Sequence, residues 1–91
     1  MLPKVRVRLF HELREIVGQS ELEMEANTLS DLVESLISRH ESLRCVFYDS
    51  KGILRGYILF YVNNKVQAPL NLAAKLNNGD LVLLIPPAAG G

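Results

Sequence analysis

A single cysteine, Cys45, stands in the 91 residues. An intramolecular disulfide is therefore excluded, and the expected compartment is the reducing cytoplasm. Excess charge is equally absent, since ten Lys plus Arg offset ten Asp plus Glu. With no basic field to attract phosphates, nucleic acid is not an expected partner. No apolar run approaches the ~20 residues that a membrane-spanning helix needs. The opening Met1-Leu2-Pro3-Lys4-Val5-Arg6 mixes charge and apolar residues too early for a signal peptide, so no membrane partner is expected either. His11 and His40 are far apart and lack further ligands at metal spacing, so neither is assigned a metal site. Nor do paired carboxylates fall in any inferable apolar pocket, and the chain alone is not expected to be a catalyst.

What is present is a globular composition, 48% hydrophobic and 22% charged, in a length that suits one small domain with its own core. Lys4 to Phe10 alternates with period two, directing Val5, Val7 and Leu9 one way and Lys4, Arg6 and Arg8 the other. His11 to Val17 carries good helix formers and stops at Gly18, a natural residue just past a helix end. Ser20 to Ala26 alternates again, with Leu22 and Met24 inward and Glu21, Glu23 and Glu25 outward, placed to meet Arg6 and Arg8 if the two strands pair antiparallel. These charges read as a solvated face with weak ion pairs, the alternative being an acidic or basic docking stripe.

Thr28 with Asp31 forms an N-cap signal, and Leu29, Leu32, Val33, Leu36 and Ile37 recur at helical spacing. This predicts a helix of about three turns with one apolar stripe. Leu43, Val46 and Phe47 extend that burial, and Cys45 beside them reads as a small buried hydrophobe. Asp49-Ser50-Lys51-Gly52 reads as a loop. Tyr57 to Val62 is a strand, apolar on both faces, which turns at Asn63-Asn64 into a short Lys65-Val66-Gln67 return. Leu70 to Leu76 is expected to hold another helical turn. Asn77-Asn78-Gly79-Asp80 then leads into a last strand, Leu81 to Ile85.

The order strand, strand, helix, strand, short strand, strand indicates an α+β chain of the β-grasp, ubiquitin-like type. A mixed sheet of four to five strands is crossed by one long helix, with the first and last strands parallel at its centre. One helix covers one face. Either Tyr57, Leu59 and Tyr61, or Ile58, Phe60 and Val62, must face away from it, with Val82 and Leu84 or their neighbours beside them. Such a face marks a partner site unless the segment His40 to Arg55 folds over it.

Residues 1–85 are thus expected to form the domain and residues 86–91 a flexible tail. Pro86 and Pro87 end the sheet ladder, and Ala88, Ala89, Gly90 and Gly91 follow without a side chain that could do chemistry. Fully extended, the tail would reach roughly 20 Å. What it offers is the α-carboxylate of Gly91 on a thread that a narrow channel could admit.

Taken together, these residues resemble the MoaD/ThiS family of ubiquitin-like sulfur carrier proteins, most of all its MoaD members, the small subunits of molybdopterin synthase. The resemblance runs from Val5-Arg6-Val7-Arg8-Leu9-Phe10 and Leu13 to Gly18, through Thr28-Leu29-Ser30-Asp31-Leu32 and Tyr61-Val62-Asn63-Asn64, to the block Leu76 to Gly91. Its most specific part is the last block: a Gly-Asp turn, an apolar strand, Pro-Pro and Gly-Gly. Asn64 stands where many members have glycine, and Arg44 to Arg55 is not matched residue by residue.

The resemblance implies a chemistry. An E1-like adenylating enzyme (MoeB/ThiF type) and ATP convert the terminal glycine to an acyl-adenylate. A sulfur donor protein then replaces the adenylate, giving a thiocarboxylate. In MoaD the tail enters a MoaE-like large subunit and delivers sulfur for molybdenum cofactor biosynthesis. Carried over, Gly91 is the adenylated and thiocarboxylated residue, and Gly90 keeps the channel clear. Pro86, Pro87, Ala88, Ala89, Tyr57, Leu59 and Tyr61 become partner-binding residues. No cofactor is expected on the chain itself, since ATP is used by the activating enzyme. The chain would be the sulfur-donating subunit of molybdopterin synthase, cytoplasmic and not catalytic alone. The alternative is a ubiquitin-like protein modifier, joined through Gly91 to target lysines; the two share their chemistry up to the adenylate.

Overall fold

Alternation of side chains settles the first strand. In the structure, a computed structural model that describes residues 2–87, β1 (Lys4–Leu9) buries Val5, Val7 and Leu9 and exposes Lys4, Arg6 and Arg8. Helix α1 (Glu12–Val17) starts after His11 and ends at Gly18, which at φ 83 donates its N–H to the Arg14 carbonyl at 2.8 Å. That left-handed conformation is why glycine terminates the helix there. β2 (Glu21–Glu25) then pairs antiparallel with β1, setting Arg6 opposite Glu23 and Arg8 opposite Glu21.

Helix α2 (Leu29–Arg39) is capped as its sequence predicts. Thr28 Oγ1 accepts from the Asp31 N–H at 3.1 Å, and the Asp31 carboxylate accepts from the Asn27 N–H at 3.1 Å. Its stripe of Leu29, Leu32, Val33, Leu36 and Ile37 is buried. A 3-10 turn (Glu41–Leu43) and helix α3 (Arg44–Phe47) bring Leu43, Val46 and Phe47 into the same core, where the rings of Phe47 and Phe60 lie 6.3 Å apart. Cys45 departs from its expected burial: it is exposed. Leu43, Val46 and Phe47 stand at i, i+3 and i+4 and take the inward side of this short helix, which turns Cys45 outward.

Two further expectations need correction. Strand β3 (Leu59–Val62) begins later than predicted, because Gly56 and Tyr57 form a turn. Leu70 to Leu76 contains no helix. Instead this segment crosses the start of α2, where the Ala74 carbonyl accepts from the Leu29 N–H at 3.2 Å and the Leu72 carbonyl from the Ser30 N–H at 2.8 Å. The first turn of a helix has no internal acceptors for its N–H groups. These carbonyls supply them, which commits their backbone to α2 and not to a helix of its own.

β4 (Lys65–Val66) returns from β3 through Asn63 and Asn64, both at positive φ (51 and 70). β5 (Leu81–Ile85) completes a five-stranded sheet in the order β2-β1-β5-β3-β4, with β5 parallel to β1 and antiparallel to β3. The result is the β-grasp, ubiquitin-like fold. Flanked on both sides, β5 buries Val82 and Leu84 completely (0% exposed). Asp80, just before it, is buried and bonded on both oxygens, accepting from Asn63 Nδ2 at 2.9 Å and from the Asn77 N–H at 2.8 Å. No helix among the described residues is long and apolar enough to cross a membrane.

Candidate functional site

The site is built where β5 runs out. Ile85 lies opposite Leu59, Pro86 follows buried and Pro87 exposed. Ala88, Ala89, Gly90 and Gly91 lie outside the described residues, so the expectations placed on them concern chain beyond this point.

Around that exit, the sheet face turned away from α2 is apolar. β3 turns Phe60 into the core, as Ile58 just before it also does, and leaves Leu59 (46% exposed) and half-buried Tyr61 on the other side, with Tyr57 (49% exposed) in the turn that precedes the strand. On β5, Val82 and Leu84 face the core, so the outer face receives their neighbours Leu81, Leu83 and Ile85, all half-buried. Cross-strand pairing sets Tyr61 beside Leu83 and Leu59 beside Ile85. The segment His40 to Arg55 turns its apolar side chains Leu43, Val46 and Phe47 into the core and reaches this face only through Arg55, at Tyr57.

Two residues of this face were not singled out from sequence. Val66 (47% exposed) stands opposite Tyr61, a register that the two-residue Asn63-Asn64 turn dictates. Arg55 holds its guanidinium 5.9 Å from the centre of the Tyr57 ring while donating from Nε to the Cys45 carbonyl at 3.0 Å. No local pattern in the sequence announces that contact. It follows from the turn that brings Arg55 back to the Phe47 carbonyl at 2.7 Å.

The same outer face changes character at β1. Arg8 bonds Glu21 at 3.0 Å, and Arg6 approaches the same carboxylate at 3.6 Å. The face is therefore half apolar, on β5, β3 and β4, and half an exposed ion-pair ladder, on β1 and β2. Surface pairs of this kind contribute at most about 1 kcal/mol each. An apolar patch beside a polar flank has the anatomy of a protein-binding surface.

The remaining candidates fall elsewhere. His11 precedes α1 and His40 follows α2, as expected from sequence. Among the described residues no group of three or more His, Cys, Asp and Glu is placed to hold a metal ion. Tyr48 donates to Glu34 at 3.4 Å, and burial together with the Glu34 charge pushes its hydroxyl pKa up. That pair lines an open 320 Å³ cleft together with Arg44, Asp49, Ser50 and Gly52.

The family model of the ThiS family matches residues 7–91. The chain belongs to the ThiS family. Small archaeal modifier protein 3 of Haloferax volcanii is 27% identical to this ThiS-family chain over 92 residues, spanning 97% of the chain and 99% of that protein. The solution structure of small archaeal modifier protein 1 from Methanosarcina acetivorans superposes with a TM-score of 0.84 at 31% identity, covering 100% of this chain and 99% of that one. A chain of the protein–protein complex of subunits 1 and 2 of molybdopterin-converting factor from Helicobacter pylori superposes with a TM-score of 0.63 at 25% identity, covering 97% and 99%. The chain is thus a small ubiquitin-like protein of the ThiS/MoaD family.

Proposed function

We propose that this chain is a sulfur carrier, the MoaD-like small subunit of a molybdopterin synthase, which works through Gly91. In this reading a Gly91 carboxylate oxygen attacks the α-phosphorus of ATP in an E1-like enzyme, and pyrophosphate leaves. The acyl-adenylate carries a good leaving group where the carboxylate had none. A persulfide of the donor protein then attacks the acyl carbon and AMP departs; a thiol cleaves the resulting acyl disulfide, which leaves a thiocarboxylate for delivery inside a large subunit and the donor sulfur in a new disulfide.

The observation that carries this reading is the exposed apolar face of Tyr57, Leu59, Tyr61, Leu83, Ile85 and Val66, set where β5 hands over to Pro86. A partner seated there would hold the domain and receive the tail from one place. The complex of two molybdopterin-converting subunits, one chain of which superposes on this one, supports such a pairing. A second reading, a modifier joined through Gly91 to lysines, is favoured by the relatives named as small archaeal modifier proteins.

Intact mass spectrometry of the protein drawn from its own cells separates the two. A mass increase matching one oxygen replaced by sulfur, on a chain co-purifying with a larger non-covalent partner, is the expected result. Isopeptide links from Gly91 to lysines of other proteins would move the assignment to the modifier. Deletion of Gly91, or Gly91→Ala, is expected to abolish adenylation and leave the fold intact; full adenylation of either variant would overturn the role given to Gly91.

A further inference from the structure

The sheet has two edges, and they are built differently. At one, β4 is a two-residue strand soon followed by Pro69, which has no N–H to offer. That edge is blunted. At the other, β2 runs five residues, Glu21 to Glu25, with no proline. Its pairing with β1 shows which backbone groups remain open. Leu9 donates to the Ser20 carbonyl at 2.8 Å, and Ala26 donates to the Pro3 carbonyl at 3.1 Å. In the register that links these pairs, Leu22 and Met24 also direct N–H and C=O toward β1. The backbone groups of Glu21, Glu23 and Glu25 therefore point away from the sheet, offering a ladder to an incoming strand.

Charge selects what can take it. Glu21 is occupied by Arg6 and Arg8, whereas Glu23 and Glu25 make no ion pair among the described residues. A second copy pairing through β2 would set glutamates against glutamates, so self-association at this edge is disfavoured. Beneath the edge, between β2 and α2, lie two open clefts of about 300 and 390 Å³. Leu2 and Glu25 line both; Lys4, Glu23, Met24 and Arg39 complete the first, and Asp31, Glu34, Ser35 and Ser38 the second, so acidic groups outnumber basic ones around them. A strand guarded only by charge needs no such room beside it.

We infer that β2 is a docking edge for an extended, basic segment of a partner protein. The segment adds as a sixth strand, with lysine or arginine at alternate positions beside Glu23 and Glu25 and the intervening side chains directed toward the clefts. This surface lies across the sheet from the β3–β4 side and does not depend on the tail chemistry.

The probe is a short capped peptide of alternating lysine and valine, titrated into the isotope-labelled full chain and followed by backbone amide NMR. The amides of Glu21, Glu23 and Glu25 are expected to shift and to gain protection from hydrogen exchange, and binding should weaken as salt is raised. The pair Glu23→Lys and Glu25→Lys is expected to weaken binding about tenfold or more. Unchanged amide positions in α2 and β5 verify that this variant is folded. The same peptide N-methylated at alternate amides keeps its charge and loses its ladder donors, and it is expected not to bind. Equal binding by the methylated peptide, equal binding by a glutamate–valine peptide, shifts confined to other strands, or dimerisation through β2 would each overturn the inference.

Discussion

Asn63 holds φ 51 and also spans two loops, donating to Asp80 from Nδ2 and accepting from the Leu81 N–H through Oδ1 at 2.9 Å. The sequence shows an Asn-Asn pair suited to a tight turn, which the structure contains. It does not show that the first asparagine also bonds the carboxylate that leads into β5, because that contact joins positions seventeen apart in sequence. Asn63→Ala removes both bonds and strains the left-handed backbone, so a loss of about 2 kcal/mol is expected in urea unfolding. Tyr48 offers a second test. Burial, then the charge of Glu34, disfavours the tyrosinate and raises the folded pKa above its ordinary value of 10.0. The associated stability is fully present below that value and declines as the pH rises through the folded pKa. Absorbance titration is expected to show Tyr48 ionising above the ordinary tyrosine value, and Glu34→Gln should lower its pKa.

Helix α2 was legible at every level, since its cap, stripe and length all rest on residues within a few positions of one another. The crossing at Leu72 to Ala74 was not. Its sequence contains helix formers, but its carbonyls serve N–H groups of a helix some forty residues earlier. Such a debt belongs to tertiary structure and leaves no local period. α3 shows the same limit in reverse: the apolar residues were recognised, but the direction of Cys45 depended on the phase of a four-residue helix. Thr28→Ala should cost about 1 kcal/mol by removing the Asp31 cap. Leu36→Ala, in the middle of the buried stripe, should cost about 2–5 kcal/mol. Thermal and urea unfolding rank these two, and the reverse order would contradict the account of what holds α2 in place.

For the molecule as a whole, the sequence already implied a sheet covered on one side, with two phases open for β3. The structure selects the phase, placing Tyr57, Leu59 and Tyr61 outward and adding Val66, Leu83 and Ile85 from neighbouring strands. Strand alternation alone gives either answer; the core fixes it, because Phe60 meets Phe47 on the α2 side. The proposed tail chemistry rests on the resemblance of the Pro-Pro-Ala-Ala-Gly-Gly ending to the family's motif. For the partner face, Leu59→Glu with Leu83→Glu is expected to abolish capture of a large-subunit partner while leaving the amide spectrum of α2 unchanged. Retained capture would move the partner to another surface.

The placing of β5 bears on how the protein is made. β2 with β1 and β3 with β4 are two hairpins, and within the described sheet only β5 joins them. It is also the last of these five strands to be synthesised, and its first residue pairs with Arg6, in the first of them. Contacts of such long range are slow to form and cannot begin on the ribosome before β5 emerges. A nascent chain short of Leu81 therefore carries two unjoined hairpins with open edges. Interrupted synthesis yields something for a protease to clear, never a half-working protein.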